Sequence, residues 1–225
     1  MIALEQVCRV YRSDEVETTA LNDIDLTVGQ GEFVAIMGPS GCGKSTLLNL
    51  LGTIDRATSG HYRFEGEDIT RRDEAQLARL RRDRLGFVFQ SFNLIDDLTI
   101  EENVALGLAY RRDIPKRAAV VQAAMDRVAI AHRARHYPHQ LSGGQQQRAA
   151  IARAIVGKPG LILADEPTCN LDTENGAQVM DILAELNAEG ATVVMVTHSP
   201  AHADRAQRIV HMLDGRVVLS ARHGA

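Results

Sequence analysis

The sequence predicts an α/β fold: a mainly parallel, doubly wound core sheet with N-terminal antiparallel strands and an inserted all-helical sub-domain. Three observations predict it. A strand-like run, Phe33–Met37, leads into a glycine-rich loop and then a helical run, Thr46–Leu51. Apolar runs at Leu161–Ala164, Ala191–Thr197 and Arg208–Leu213 follow, the first two separated by the helical stretch Glu174–Glu189. Such alternation builds a parallel sheet covered on both faces. Between Gln90 and about Gly157 the pattern is almost wholly helical. At 225 residues the chain is long enough for one large domain, burying roughly 70% of its unfolded surface. The expected division is a core of residues 1–90 and 158–225, with residues 91–157 as the sub-domain.

In chain order, Leu21, Ile24, Leu26 and Val28 are mostly spaced by two, and this strand run ends at Gly29-Gln30-Gly31. Ser59-Gly60 and Glu65-Gly66 bracket a short strand, His61–Phe64. Asp73 to Arg84 has helical spacing with Leu77 and Leu80 on one face. Arg71, Arg72, Arg79, Arg81, Arg82 and Arg84 crowd this helix, but Asp73, Glu74 and Asp83 offset them and no aromatics interleave, which reads as a solvated face. Leu85–Phe89 returns to strand character. Helices are expected over Ile100–Tyr110, Pro115–Ala131 and Gln145–Val156.

The loop between the first core strand and its helix is Gly38-Pro39-Ser40-Gly41-Cys42-Gly43-Lys44-Ser45, with Thr46 following. It fits the G-x-x-x-x-G-K-[ST] phosphate loop. Its glycines keep side chains clear, so backbone N–H groups can converge on phosphate oxygens at a helix N-terminus. Lys44 would reach the β/γ-phosphates and Ser45 would hold Mg²⁺. The motif predicts ATP and Mg²⁺ as cofactors.

Leu141-Ser142-Gly143-Gly144-Gln145 starts a second helix suited to an anion. Ser142 is a good N-cap, and Gly143 and Gly144 leave the helix start bare. One ATP needs one phosphate loop, so this second site is surplus within a protomer. Two copies of the chain sandwiching the γ-phosphate would use it. Leu161–Glu166 is an apolar strand ending in two carboxylates at the edge where open α/β sheets bind ligands. Asp165 fits the Mg²⁺ position, through a water, that similarity to phosphate-loop proteins implies, and Glu166 fits the group that takes a proton from the attacking water, or orients and polarises it.

Composition narrows the classes. A net charge of −4 argues against nonspecific nucleic-acid binding as the main role. No run approaches the roughly 18 consecutive apolar residues of a membrane span, and Met1-Ile2-Ala3-Leu4-Glu5 lacks the basic segment of a signal peptide. A cytoplasmic chain is expected, with any pore supplied by another polypeptide. Cys8, Cys42 and Cys169 are too scattered for a disulfide framework or zinc site. His132 and His136 are four apart on an expected helix, but no further ligand of matching spacing joins them, so they read as surface side chains.

With these motifs in order, the chain resembles a nucleotide-binding subunit of an ABC transporter over nearly its whole length. Tyr137–Arg148 and Leu163–Thr168 are similar to the macrolide-exporter, lipoprotein-release and FtsE-type ATPases. The resemblance implies the ABC version of the P-loop NTPase fold and an ATP-dependent homodimer. It implies an integral membrane permease as partner, with room for a periplasmic adaptor, and a place on the inner face of the cell membrane. It assigns His198 to the γ-phosphate and the glutamate, Gln90 to Mg²⁺ and the water, and Tyr11 to adenine stacking. Cys169-Asn170-Leu171-Asp172 would be the inter-subunit loop, facing the loop of Cys42 in the other copy; the two cysteines read as tolerated small side chains in a reducing cytosol, with an oxidative cross-link between copies as the alternative. Export of a drug or peptide, or lipoprotein release, is implied. Rival readings are FtsE-like regulation of cell-wall enzymes, a soluble ABC ATPase on nucleic acid, and a small-molecule kinase. The last would have no use for Leu141–Gln145.

Overall fold

The computed structural model describes residues 1–12, 17–111 and 114–222. In chain order the elements are β1 (Ile2–Arg12), β2 (Glu17–Val28), β3 (Phe33–Met37), α1 (Lys44–Leu51), β4 (Ser59–Phe64), β5 (Glu67–Asp68), α2 (Glu74–Arg84) and β6 (Leu85–Val88). They continue with α3 (Ile100–Ala105), α4 (Arg117–Arg127), α5 (Gly143–Ile155), β7 (Leu161–Asp165), α6 (Thr173–Ala188), β8 (Thr192–Val196), α7 (Pro200–Ala203), β9 (Arg208–Leu213) and β10 (Arg216–Arg222). A four-stranded antiparallel sheet runs β2-β1-β4-β5, and a six-stranded sheet runs β10-β9-β3-β8-β7-β6. In the larger sheet β9, β3, β8, β7 and β6 are parallel, and β10 is antiparallel at the edge.

The unbroken apolar runs follow from burial on both faces of the larger sheet. Phe33, Ala35, Ile162, Ala164, Val193 and Met195 point to one side, where they pack with Ile100, Val104, Leu108, Met125 and Ile151 of the helical stretch. Val34, Ile36, Leu161, Leu163, Val194 and Val196 point to the other, against α1 and the inner face of the antiparallel sheet. The helical stretch therefore shares its core with one face of the sheet.

In β2 the step from Leu21 to Ile24 breaks period two, yet both are fully buried. A register shift against β1, with Asp23 at φ 57°, absorbs the extra residue. The sequence reading missed β10. Asp214 and Gly215, at φ 48° and 75°, make the left-handed two-residue hairpin that an Asp-Gly pair favours.

The helical stretch is more broken than expected. The helix from Ile100 ends at Ala105 and continues as a 3-10 turn to Leu108, and α4 stops at Arg127. His132 lies in a 3-10 turn, Ala131–Arg133, that ends before His136, so the two histidines do not share an α-helical face. His136 Nε2 instead lies 3.1 Å from Arg133 Nη1. The arginines in and just before α2 are largely used at home: Arg72 pairs with Glu67, Arg84 with Glu65 and Arg82 with Asp83, while Arg81 donates to Thr53 O at 2.7 Å.

Candidate active site

The phosphate loop leaves the carboxyl end of β3, and its glycines have distinct reasons. Gly38 has φ 155°, and a Cβ there would sit 2.2 Å from Met212 O; Gly43 has φ 98°, and a Cβ would sit 2.4 Å from Ala20 O. Gly41, at φ 81°, opens to free space. No side chain caps α1 at Gly43, so its first N–H groups stay available to a ligand. Lys44 is buried, and its ammonium donates to Gly38 O at 2.9 Å and Pro39 O at 2.8 Å. Those two carbonyls are what make a charge at this depth tolerable. Pro39, Ser40 and Gly41 are exposed at the loop's crest, and Thr46 is half-buried beside the exposed Ser45.

Cys42 fits the reading of a tolerated small side chain rather than the cross-link. Its side chain is buried with Leu47 and Val210 in the core beneath the loop, not turned outward. A cross-link to Cys169 of another copy would need that thiol pulled out of the core.

Parallel neighbours bring the carboxylates to the loop, because β7 pairs with β8 and β8 with β3. Ser45 Oγ donates to Asp165 Oδ1 at 3.3 Å. Burial raises the Asp165 carboxyl above its ordinary value, opposed by Ser45, Lys44 and His198. These two hard oxygen donors suit Mg²⁺.

Glu166 sits at φ 45°, a backbone conformation that side chains other than glycine adopt only when their surroundings hold it. Its N–H donates to Val196 O at 3.0 Å. The side chain is 11% exposed, with Oε1 3.1 Å from His198 Nε2. That approach is not aligned as a hydrogen bond, so Oε1 has no donor among the described residues. The His198 N–H donates to Oε2 at 3.3 Å. Burial raises the Glu166 carboxyl, and Asp165 adds to this, while His198 and Lys44 oppose it. A carboxylate held this way is poised to accept a proton.

Gln90 follows β6, and its amide donates to Cys169 Sγ at 3.4 Å while its carbonyl accepts from Asn170 Nδ2 at 3.1 Å. Tyr11 is 42% exposed, its hydroxyl donating to Asp55 Oδ2 at 2.5 Å. The Arg9 guanidinium lies 4.4 Å from the Tyr11 ring centroid and covers one face of it.

At the second helix start, Ser142 is the N-cap of α5 as expected. Ser142 and Gln145 form a reciprocal capping box at α5. Leu141, however, is buried in the core, leaving Ser142 as the exposed residue. Gly144 is also committed inward: a Cβ there would lie 2.1 Å from Asn175 Oδ1 of α6, whereas at Gly143 it would meet Asn170 O at 3.5 Å. Among the described residues, no hydrogen bond joins 141–145 to 38–45.

Sequence reasoning missed several residues of this region. Arg153 donates to Phe92 O at 2.7 Å and to Asn93 O, Thr168 Oγ1 lies 2.8 Å from His202 Nδ1, and buried Gln147 donates to Pro167 O at 2.7 Å. Their spacing along the chain carries no signal of these contacts.

Fold and site together define a phosphate-loop nucleotide hydrolase. The family model describing ABC transporters matches residues 21–169. The chain belongs to the ABC transporter family, has the ABC ATPase fold and is an ATP hydrolase of that type. It is similar to the macrolide export ATP-binding/permease protein MacB 1/2 of Paracoccus denitrificans, at 49% identity over 100% of this chain and 34% of that protein. The chain thus spans about a third of that relative's length. The uncharacterized ABC transporter ATP-binding protein YknY of Bacillus subtilis is 47% identical, over 97% of this chain and 95% of its own. Among solved structures, a dimeric post-hydrolysis state of the ATP-binding cassette MJ0796 with ADP and Pi matches with TM-score 0.93 and 42% identity, covering 100% of both chains.

Proposed function

We propose that two copies of this chain close over two ATP molecules, hydrolyse them and reopen, moving a membrane permease. Gly38–Thr46 cradle the phosphates and Lys44 turns to the β/γ-phosphates. Tyr11 stacks on adenine with the face that Arg9 leaves free, and Ser142, Gly143 and Gln145 of the partner close over the γ-phosphate. Ser45 and Asp165 would hold Mg²⁺, and Gln90 would join them on leaving Cys169. Bound there, Mg²⁺ would offset negative charge on the phosphates. Glu166 takes a proton from the attacking water, and His198 orients Glu166 while bonding the γ-phosphate.

The single observation that carries this reading is the half-buried Glu166 carboxylate, 3.1 Å from His198 Nε2 and beside the Ser45–Asp165 pair. Glu166→Gln is expected to bind ATP normally and lose most hydrolysis, on the order of the 10²–10⁴-fold that a general base contributes. Steady-state phosphate release and equilibrium nucleotide binding check it, and near-normal turnover would refute the assignment.

Residues 91–157 are proposed as the moving sub-domain. A groove of about 510 Å³ lined by Arg81, Phe87, Phe89, Leu106 and Tyr110 opens where this segment meets the core, and Tyr110 is 83% exposed there. A permease would grip that groove, which adjoins Gln90. No helix among the described residues is long and apolar enough to cross a membrane, so the permease comes from chain outside these residues or from another polypeptide. The chain would then work on the inner face of the cell membrane. The MacB relatives favour export as the work done.

A further inference from the structure

The loop after Glu166 is tied to four neighbouring segments. Glu166 N donates to Val196 O of β8, Thr168 Oγ1 meets His202 Nδ1 of α7, and Asn170 Nδ2 donates to Gln90 O just beyond β6. The fourth tie is Gln147 of α5, whose Nε2 donates to Pro167 O at 2.7 Å.

Gln147 is fully buried, and its Oε1 has no hydrogen-bond partner among the described residues. An apolar side chain of similar length would avoid desolvating that orphaned oxygen, so packing does not account for an amide here. What the amide does is hold one carbonyl. That carbonyl belongs to the residue after Glu166, and Pro167 has no N–H by which it could be held instead. Glu166 itself occupies a left-handed backbone conformation that needs support from its surroundings.

We propose that Gln147 is a positioning residue for hydrolysis, fixing the Pro167–Thr168 peptide, next in chain to Glu166, to α5 and thereby joining the two nucleotide sites of the closed pair. This rests on the proposed function. The first turn of α5 serves the ATP on the partner's phosphate loop, while Glu166 serves the ATP on its own. Gln147 lies one turn along that helix and bonds it directly to the residue after Glu166. Nucleotide seated at one site thus steadies the general base of the other.

The test uses Gln147→Met, which keeps length without a donor, and Gln147→Asn, which keeps the amide but withdraws it by one methylene. Both are measured on the whole chain for ATP affinity, thermal midpoint, kcat and cooperativity in ATP. ATP affinity and midpoint are expected to stay near wild type, while kcat falls about ten- to a hundredfold, the scale of a small misplacement of a catalytic group. Cooperativity in ATP is expected to disappear.

Wild-type kcat in both variants overturns the proposal, as does a kcat loss matched by equal losses in ATP affinity and midpoint. A fall in kcat with cooperativity intact overturns the coupling between sites. If Gln147→Met does not fold, Gln147→Asn decides by the same criteria. Glu166→Gln is run in parallel: an active Glu166→Gln sinks the proposed function, whereas an inactive one beside wild-type-like Gln147 variants sinks only this inference.

Discussion

At Glu166 burial and charge pull the carboxyl in opposite directions, and burial prevails. A general base works only when ionised, so hydrolysis is full above its pKa and is lost as pH falls through it. Because burial raises that pKa, the acid limb of kcat should lie above the ordinary carboxylate range. His198 opposes the shift, so His198→Ala should move the limb to still higher pH as well as lower the maximum. A pH profile of kcat checks both; an unmoved or downward limb would separate His198 from Glu166. The two adjacent carboxylates were legible in the sequence. The pairing with His198 came only through the family resemblance, and the left-handed backbone of Glu166 was not legible at all, since both depend on β8 lying beside β7.

Among the elements, α5 shows how far local rules reach. Ser142 reads as an N-cap, and the structure adds Gln145 as the other half of a capping box. The two glycines between them read alike in sequence, yet the fold separates them. Gly144→Ala would drive a methyl into Asn175 and push α5 from α6, a misfit of about 1–3 kcal/mol. The thermal midpoint should drop by roughly 2–4 °C per kcal/mol for a chain of this size. Gly143→Ala meets only ordinary contacts and should leave the midpoint unchanged or slightly raised, since alanine favours helix over glycine. Calorimetry of the two variants distinguishes these outcomes; equal shifts would count against the packing argument. The Asp-Gly turn before β10 was also there to be read, but the strand it starts is an edge strand with exposed Val218 and Leu219 and lacks the alternation of a half-buried one.

The whole molecule holds half of each proposed reaction centre: the phosphate loop, Asp165 and Glu166 in one place, and the exposed cap of α5 in another. Specific ATPase activity should therefore rise with protein concentration and vanish on dilution below the dimer's dissociation constant. Turnover per chain that stays constant in a demonstrated monomer would overturn the shared site.

The sequence by itself determined the phosphate loop, the paired carboxylates, the Ser142 cap and the alternation of strand and helix, because each is set by residues within a turn or two of one another. Only the tertiary structure decided that Cys42 points into the core, that Gly144 is held for α6, that Gln90 rests on Cys169 and that Gln147 reaches Pro167. Those outcomes depend on strand order and on which helix crosses which loop. Such pairings join residues far apart in the chain, and no local preference encodes them.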